Sequence, residues 1–308
     1  MSSGPAVVAL GDSITAGVVD AVGSDAAHGP GWAAHLALLA GCGSFENVAS
    51  NGARTRTVVA EQLDRALDAR PDVATLVIGG NDVLRSDFSP AEVARHLGTC
   101  VGALRDRGAA VVLATLPSIG LFDLCPGRIR RIMRARIDAV NAVVRTTAAR
   151  YGSASGRQPV LFDVAEAIRP AGLGAWYVDR VHPSPAGHRH MAVTASGALQ
   201  VALPELAARG LRATDPDGSL RAALSRLPAP PPPPSAWQRA AWLTVAGVPW
   251  GLRRGRDFLP GLLRAVVDDL RGAGPGQLDL DLGLDLAALS GPGAGHDGVA
   301  SEAYARTS

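Results

Sequence analysis

No lysine occurs anywhere in the 308 residues, so all 30 basic side chains are arginine. A lysine-free chain has no Walker A phosphate loop, no Schiff-base amine for a pyridoxal cofactor and no Ser-Lys dyad. An excess of one charge is missing too, because 28 acidic residues offset the arginines and leave a formal balance of +2. The arginines alternate with acids nearly throughout, whereas a nucleic-acid surface gathers its basic residues on one face. Nucleic acid is therefore not an expected partner. Aromatic residues are few, with 5 Trp, 3 Tyr and 5 Phe, so a chain that is 47% hydrophobic must build its core from Ala, Val and Leu. There are only three cysteines, Cys42, Cys100 and Cys125. Their odd number, without metal-like or Cys-x-x-Cys spacing, fits buried thiols better than a disulfide framework. No apolar run approaches the roughly 18 residues that span a bilayer. Met1 to Pro5 lead directly into Ala6 to Leu10 without the charged region of a secretion signal, so the expected location is cytoplasmic.

Up to residue 204 short β-branched runs alternate with longer stretches of helical periodicity. The runs Ala6 to Leu10, Phe45 to Ala49, Val73 to Ile78, Ala110 to Thr115 and Val160 to Val164 read as strands. Helices are expected over Trp32 to Leu39, Thr57 to Leu67, Glu92 to Arg107, Arg128 to Arg150 and Pro185 to Leu203, where apolar residues recur at three and four positions. Mostly unbroken apolar strands alternating with helices imply an α/β fold whose parallel sheet is covered on both faces. Ligands of such sheets bind beyond the carboxyl ends of the strands. The expected division is a domain over 1–204, a polar and proline-rich linker over 205–236, an amphipathic helical arm over 237–271 and a disordered tail over 272–308. Pro228 to Pro234, nearly all proline, is the stiff part of the linker. The arm carries Trp237, Trp242, Trp250 and Phe258 with basic Arg253, Arg254 and Arg256. Tryptophan and arginine suit a membrane surface, but packing on the main domain or self-association is the favoured reading.

The first strand runs into Gly11-Asp12-Ser13-Ile14-Thr15-Ala16-Gly17, which puts a serine hydroxyl at a strand end beside glycines that permit a sharp turn. A serine nucleophile needs a base and a group that orients the base. Asp179-Arg180-Val181-His182-Pro183 offers both in one turn, followed by Ser184 and Pro185 as a helix N-cap and first helical position. Gly52, after the second strand, can bring its backbone N–H close to a substrate. Asn81, in Gly79-Gly80-Asn81-Asp82 after the third strand, can aim its amide at a developing oxyanion.

These blocks resemble the SGNH/GDSL family of serine hydrolases, whose Ser, Gly, Asn and His match Ser13, Gly52, Asn81 and His182 and whose Asp matches Asp179. The resemblance covers residues 6 to 200 and implies a flavodoxin-like three-layer α/β/α sandwich with a five-stranded parallel sheet. It further implies Ser13, Asp179 and His182 as the catalytic triad and Ser13, Gly52 and Asn81 as the oxyanion hole, acting on a small-molecule acyl ester without cofactor or metal. Hydrolysis of carboxylic esters or thioesters through an acyl-serine is the expected function. An acyltransferase using the same acyl-enzyme, and a partner-binding scaffold with a vestigial hydrolase domain, are the alternatives.

Other polar residues receive plainer readings. Asp12 and Asp82 are expected to tie down their own loops through backbone N–H groups. His188 and His190, without a carboxylate or cysteine at ligand spacing, are expected on a solvated helix face. The long connection Pro117 to Gly127 either lines a substrate pocket or packs its own apolar residues.

Overall fold

A computed structural model of the chain describes residues 4–20, 29–153, 158–203 and 220–242, with positions 244, 245, 260, 263, 264, 266, 267 and 271. The strands are β1 (Ala6–Gly11), β2 (Ser44–Asn47), β3 (Val73–Val77), β4 (Ala110–Thr115) and β5 (Val160–Asp163). All pair in parallel, in the order β2-β1-β3-β4-β5. Every residue of β3 and β4 is buried, which accounts for their unbroken apolar sequence. The register places Leu10, Leu76, Leu113 and Leu161 on one row across four strands.

The strand order moves outward from β1 to β2, then reverses through β3 to β5. Right-handed crossovers consequently send α1 (Gly31–Ala40) to one face and the helices leading to β3, β4 and β5 to the other. On the first face α1 packs against α8 (Pro185–Ala202), which also meets the short α7 (Val164–Ile168), and on the second α5 (Pro90–Asp106) packs against α6 (Gly127–Ser153). This is the five-stranded parallel α/β sandwich that the family resemblance implies. The reversal between β1 and β3 opens a crevice at their carboxyl ends. Ser89 and Ser184 cap α5 and α8 by accepting from Glu92 N and Gly187 N, each with proline in the first turn.

Two expected elements differ in detail. The second strand stops at Asn47, whose side chain donates to Thr15 O and accepts from Ala49 N, turning the chain toward Ser13. The helix expected over Thr57 to Leu67 is three pieces: α2 (Thr55–Thr57), a π-helical turn (Val58–Gln62) and α3 (Leu63–Asp68).

The reading of His188 and His190 as a solvated face is overturned, because both are buried in α8. His188 Nδ1 accepts from Trp32 N at 3.2 Å and its Nε2 donates to Val18 O at 3.3 Å. Burial pushes its pKa down to about 4, so the ring stays neutral. Beside it Arg189, also buried, donates through Nη1 to Asp20 Oδ1 at 2.9 Å and to Pro185 O at 2.6 Å. Asp20 also bonds His35 Nε2 at 2.8 Å and accepts from Gly31 N. Burial works against the charge of Asp20, but His35, His188 and Arg189 outweigh it and hold the carboxyl below its ordinary range.

The linker expected over 205–236 is not free along its length. Its helix Leu220–Ser225 buries Ala223, and Leu227 follows it into the core. Arg226 Nη2 donates to Leu39 O, and Arg189 Nε donates to Pro228 O at 2.6 Å. Apolar residues spaced through Leu220 to Leu227 find a partner in α8, so this stretch packs on the body of the fold, while the prolines after it stay largely exposed. A further helix, Ala236–Trp242, follows the prolines. The first part of the linker, the basic cluster Arg253, Arg254 and Arg256, and the tail over 272–308 lie outside the described residues. Cys100 is buried and Cys42 and Cys125 half-buried, none in a disulfide. Among the described residues no helix is long and apolar enough to cross a membrane.

Candidate active site

β1 ends on Gly11, whose φ of +143° lies in a region side chains rarely adopt. A Cβ there would sit 2.4 Å from Val77 O and 2.7 Å from Thr15 Oγ1, so only glycine lets the strand turn this tightly. The turn closes through Ala16 N to Asp12 O and Val18 N to Ser13 O. Trp32 Nε1 holds it from α1 through Thr15 Oγ1, and Asn47 from β2 through Thr15 O. Ser13 is thereby fixed at the floor of the crevice.

The opposite wall is the loop Ala175 to Ser184, pinched by an antiparallel bridge between Trp176 and Pro183. Inside it Tyr177 N donates to His182 O, and Arg180 N, with φ +56°, donates to Tyr177 O. This narrow loop makes the three-residue offset of Asp179 and His182 productive. Asp179 Oδ1 accepts from the backbone N of Val181 and of His182, while its Oδ2 lies 2.6 Å from His182 Nδ1. The other ring nitrogen, Nε2, lies 2.9 Å from Ser13 Oγ. Burial would raise the Asp179 pKa, yet the ring bond and the backbone N–H groups prevail and keep it below the ordinary carboxylate range. An ionised Asp179 holds Nδ1–H and leaves Nε2 free to accept the Ser13 proton.

Asn81 is the second residue of the short helix α4 (Gly80–Val83), entered through Gly79 at φ +114°. One of its amide hydrogens goes to Ala53 O at 3.0 Å. The other remains for the crevice, which Asn81 lines together with Ser13 and His182. Gly52, at φ +83°, lies in the loop after β2 between Asn51, which lines the crevice, and Ala53, which Asn81 engages. Asp82 does not tie its own loop as expected. Its carboxylate accepts from Thr55 N at 3.1 Å and Thr55 Oγ1 at 2.9 Å, so it clamps the Asn81 loop to the Gly52 loop.

Asp12 does bond within its loop, accepting from Ile14 N at 3.0 Å, and it lines the crevice. Burial lifts its pKa from 3.8 to about 6, against the pull of the Ile14 N–H and His182. A raised carboxyl pKa adds stability below pH 3.8, where both folded and unfolded chains are protonated, and that stability is lost as pH rises through about 6. Asp12→Asn, which does not titrate, should therefore gain on the parent by about 1.4 kcal/mol between pH 5 and pH 8. Thermal melts of both proteins across that range measure the gap; a constant gap would mean that Asp12 is not a buried titrating acid.

The rest of the crevice is apolar: Ile14, Leu84, Leu116, Pro117, Ile119, Ile137 and Val181, around a space of about 600 Å³ that is partly open to solvent. The loop Pro117 to Gly127 does both things expected as alternatives, since Pro117 and Ile119 line the crevice while Phe122 packs into the core. Among the described residues no cluster of His, Cys, Asp or Glu has the size of a metal site.

Two side-chain amides that sequence reasoning missed hold the strand ends. Gln62 accepts from Gly11 N, donates to Gly11 O and reaches Ser50 Oγ. Asn141 does the same for Leu116 N and O, at 2.7 and 2.9 Å. Each takes the place of a neighbouring strand where the sheet has ended. Gln62 comes from the π turn, a helical irregularity that recurs at functional sites. The available signal was a polar residue four positions from Val58 and four from Ala66 on the buried face of its helix.

Residues 9–190 match the GDSL-like Lipase/Acylhydrolase family. An acetylxylan esterase of Geobacillus stearothermophilus is 30% identical over 209 residues, covering 62% of this chain and 92% of that protein. A GDSL-like esterase of Mycobacterium tuberculosis is 32% identical over 136 residues, 44% of this chain, and the match spans 42% of that protein's length. Among solved structures, an alpha/beta hydrolase enzyme from the metagenome of Lake Arreo, Spain, is 28% identical with a TM-score of 0.48, over 67% of this chain and 98% of that one.

Proposed function

The chain belongs to the GDSL-like lipase/acylhydrolase family of ester-hydrolysing enzymes, and from that premise we propose a carboxylic-ester hydrolase working through an acyl-serine intermediate. The unbroken line from Asp179 through His182 to Ser13 Oγ, at 2.6 and 2.9 Å, carries this reading. His182 Nε2 takes the Ser13 proton as Oγ attacks the ester carbonyl. The same ring then protonates the leaving alcohol, and its next proton comes from the water that releases the acyl group. Asp179 keeps the ring in the required tautomer and offsets its transient charge. The Ser13 N–H, the Gly52 N–H and the free amide hydrogen of Asn81 are the oxyanion donors, each worth roughly 100 to 1000-fold in rate. The apolar wall of Leu84, Leu116, Ile119, Ile137 and Val181 is suited to the acyl chain of the substrate.

A fluorophosphonate probe with a series of p-nitrophenyl esters tests this reading. The parent protein should be labelled, Ser13→Ala should not, and kcat/KM should rise from acetate toward longer acyl chains. Absence of labelling in the parent protein would favour the vestigial scaffold, and a flat or falling series would take the acyl chain off the apolar wall.

A further inference from the structure

Beyond residue 190, where the family match ends, the chain returns to the catalytic loop. The segment is anchored at two points. The first is the body of the fold: Ala223 and Leu227 are buried, and Pro228 O accepts from Arg189 Nε. The second is Trp242, the last residue of the helix Ala236–Trp242, whose ring meets Tyr177 edge-on with centroids 5.6 Å apart and planes at 88°. Between the anchors run five consecutive prolines, Pro230 to Pro234. Such a run holds an extended rod of about 15 Å and does not coil up to slacken the connection. Most of the helix faces water, with Trp237 78% exposed, whereas Ala241 and Trp242 are drawn partly out of solvent.

Tyr177 is the residue on which the catalytic loop is built. Its N–H donates to His182 O and its carbonyl accepts from Arg180 N, so its backbone spans the turn that carries Asp179. Burial and the neighbouring Asp179 charge both raise the pKa of its hydroxyl. A ring clamped on Tyr177 thus restrains the backbone that sets the distance between His182 and Ser13.

We propose that residues 220–242 form a strap that braces the catalytic loop, with Trp242 as a positioning residue acting through Tyr177 on His182. It rests on the hydrolase reading for its effect on rate, although the bracing itself is a property of the fold. Trp242 touches no reacting atom. An edge-to-ring aromatic pair shifts a local equilibrium by about two- to tenfold, which sets the size of the expected effect.

In the full-length chain, Trp242→Ala should lower kcat for p-nitrophenyl acetate about two- to tenfold with KM within about twofold. Trp242→Phe, which keeps an aromatic edge on Tyr177, should restore it, and the exposed Trp237→Ala should match the parent. Hydrogen exchange at the amides of residues 175–184 gives a second readout that needs no activity. These amides should exchange faster in Trp242→Ala and regain protection in Trp242→Phe. Unchanged exchange in Trp242→Ala, or accelerated exchange that Trp242→Phe does not restore, overturns the strap. A parent protein that hydrolyses no ester would instead sink the hydrolase reading and leave the exchange result to decide the strap.

Discussion

Ser13→Ala or His182→Ala should lower kcat for ester hydrolysis by roughly four to six orders of magnitude, leaving only the catalysis supplied by binding and the oxyanion donors. The two replacements should not add. Once the hydroxyl is gone the imidazole has no proton to take, and once the imidazole is gone the hydroxyl is a weak nucleophile. The double variant should therefore run at about the rate of either single one, with the melting temperature close to the parent's. Ser13 and His182 are joined by one 2.9 Å contact between the end of β1 and the loop before α8, and neither packs the core. Single-turnover measurements with p-nitrophenyl acetate give the comparison. A double variant slower than both singles by more than tenfold would show that the residues act separately.

Arg189→Met should destabilise the fold by about 3–5 kcal/mol. The guanidinium is almost fully buried and touches Asp20, Pro185 O and Pro228 O, which together join the turn after Ser13, the start of α8 and the strap. Methionine fills the volume but leaves Asp20, which is fully buried, hydrogen-bonded to His35 and the Gly31 N–H without its guanidinium partner. The larger part of the loss is that stranded carboxylate. Arg189→Met combined with Asp20→Asn should recover a good share of it, because neutralising both partners removes the charge that lacked compensation. Arg189→Lys should not recover it, since one ammonium cannot replace a fork that donates from Nε to Pro228 O and from Nη1 to both Asp20 and Pro185 O. Thermal or urea unfolding of the three variants measures the ordering; Arg189→Met melting within 2 °C of the parent, or a double variant less stable than the single, would refute the account.

Much of the candidate site was legible because its parts are local. Asp179 and His182 are three residues apart on one tight loop, Ser13 follows a strand by two residues, and Gly52 and Asn81 sit in short blocks after strands. The misread residues are polar side chains whose partners lie far along the chain. His188 and His190 carry no mark of burial in a helix whose apolar pattern is diluted by Arg189 and Ser196. Asp82 was expected to serve its own loop, but its partner is Thr55, 27 residues earlier. Gln62 reaches back 51 residues to Gly11. Periodicity reports that a helix has a buried face, yet it does not report which backbone group waits on the other side of that face.

The strand sequences by themselves determined a parallel sheet under two layers of helices, since runs such as Val73 to Val77 must be covered on both faces. They also determined the place of Ser13, because Gly11 permits a turn at the end of β1 that a Cβ would block. Only the tertiary structure decided which amides hold the strand ends, that the Asp20 and Arg189 charges are buried as a pair, and that the chain beyond the prolines returns to Tyr177. The physical reason is the same in each case. Hydrophobic burial is non-directional and written in composition and period, whereas a hydrogen bond or a ring contact requires two groups to meet at a set distance and angle, and that meeting exists only once the whole chain has folded.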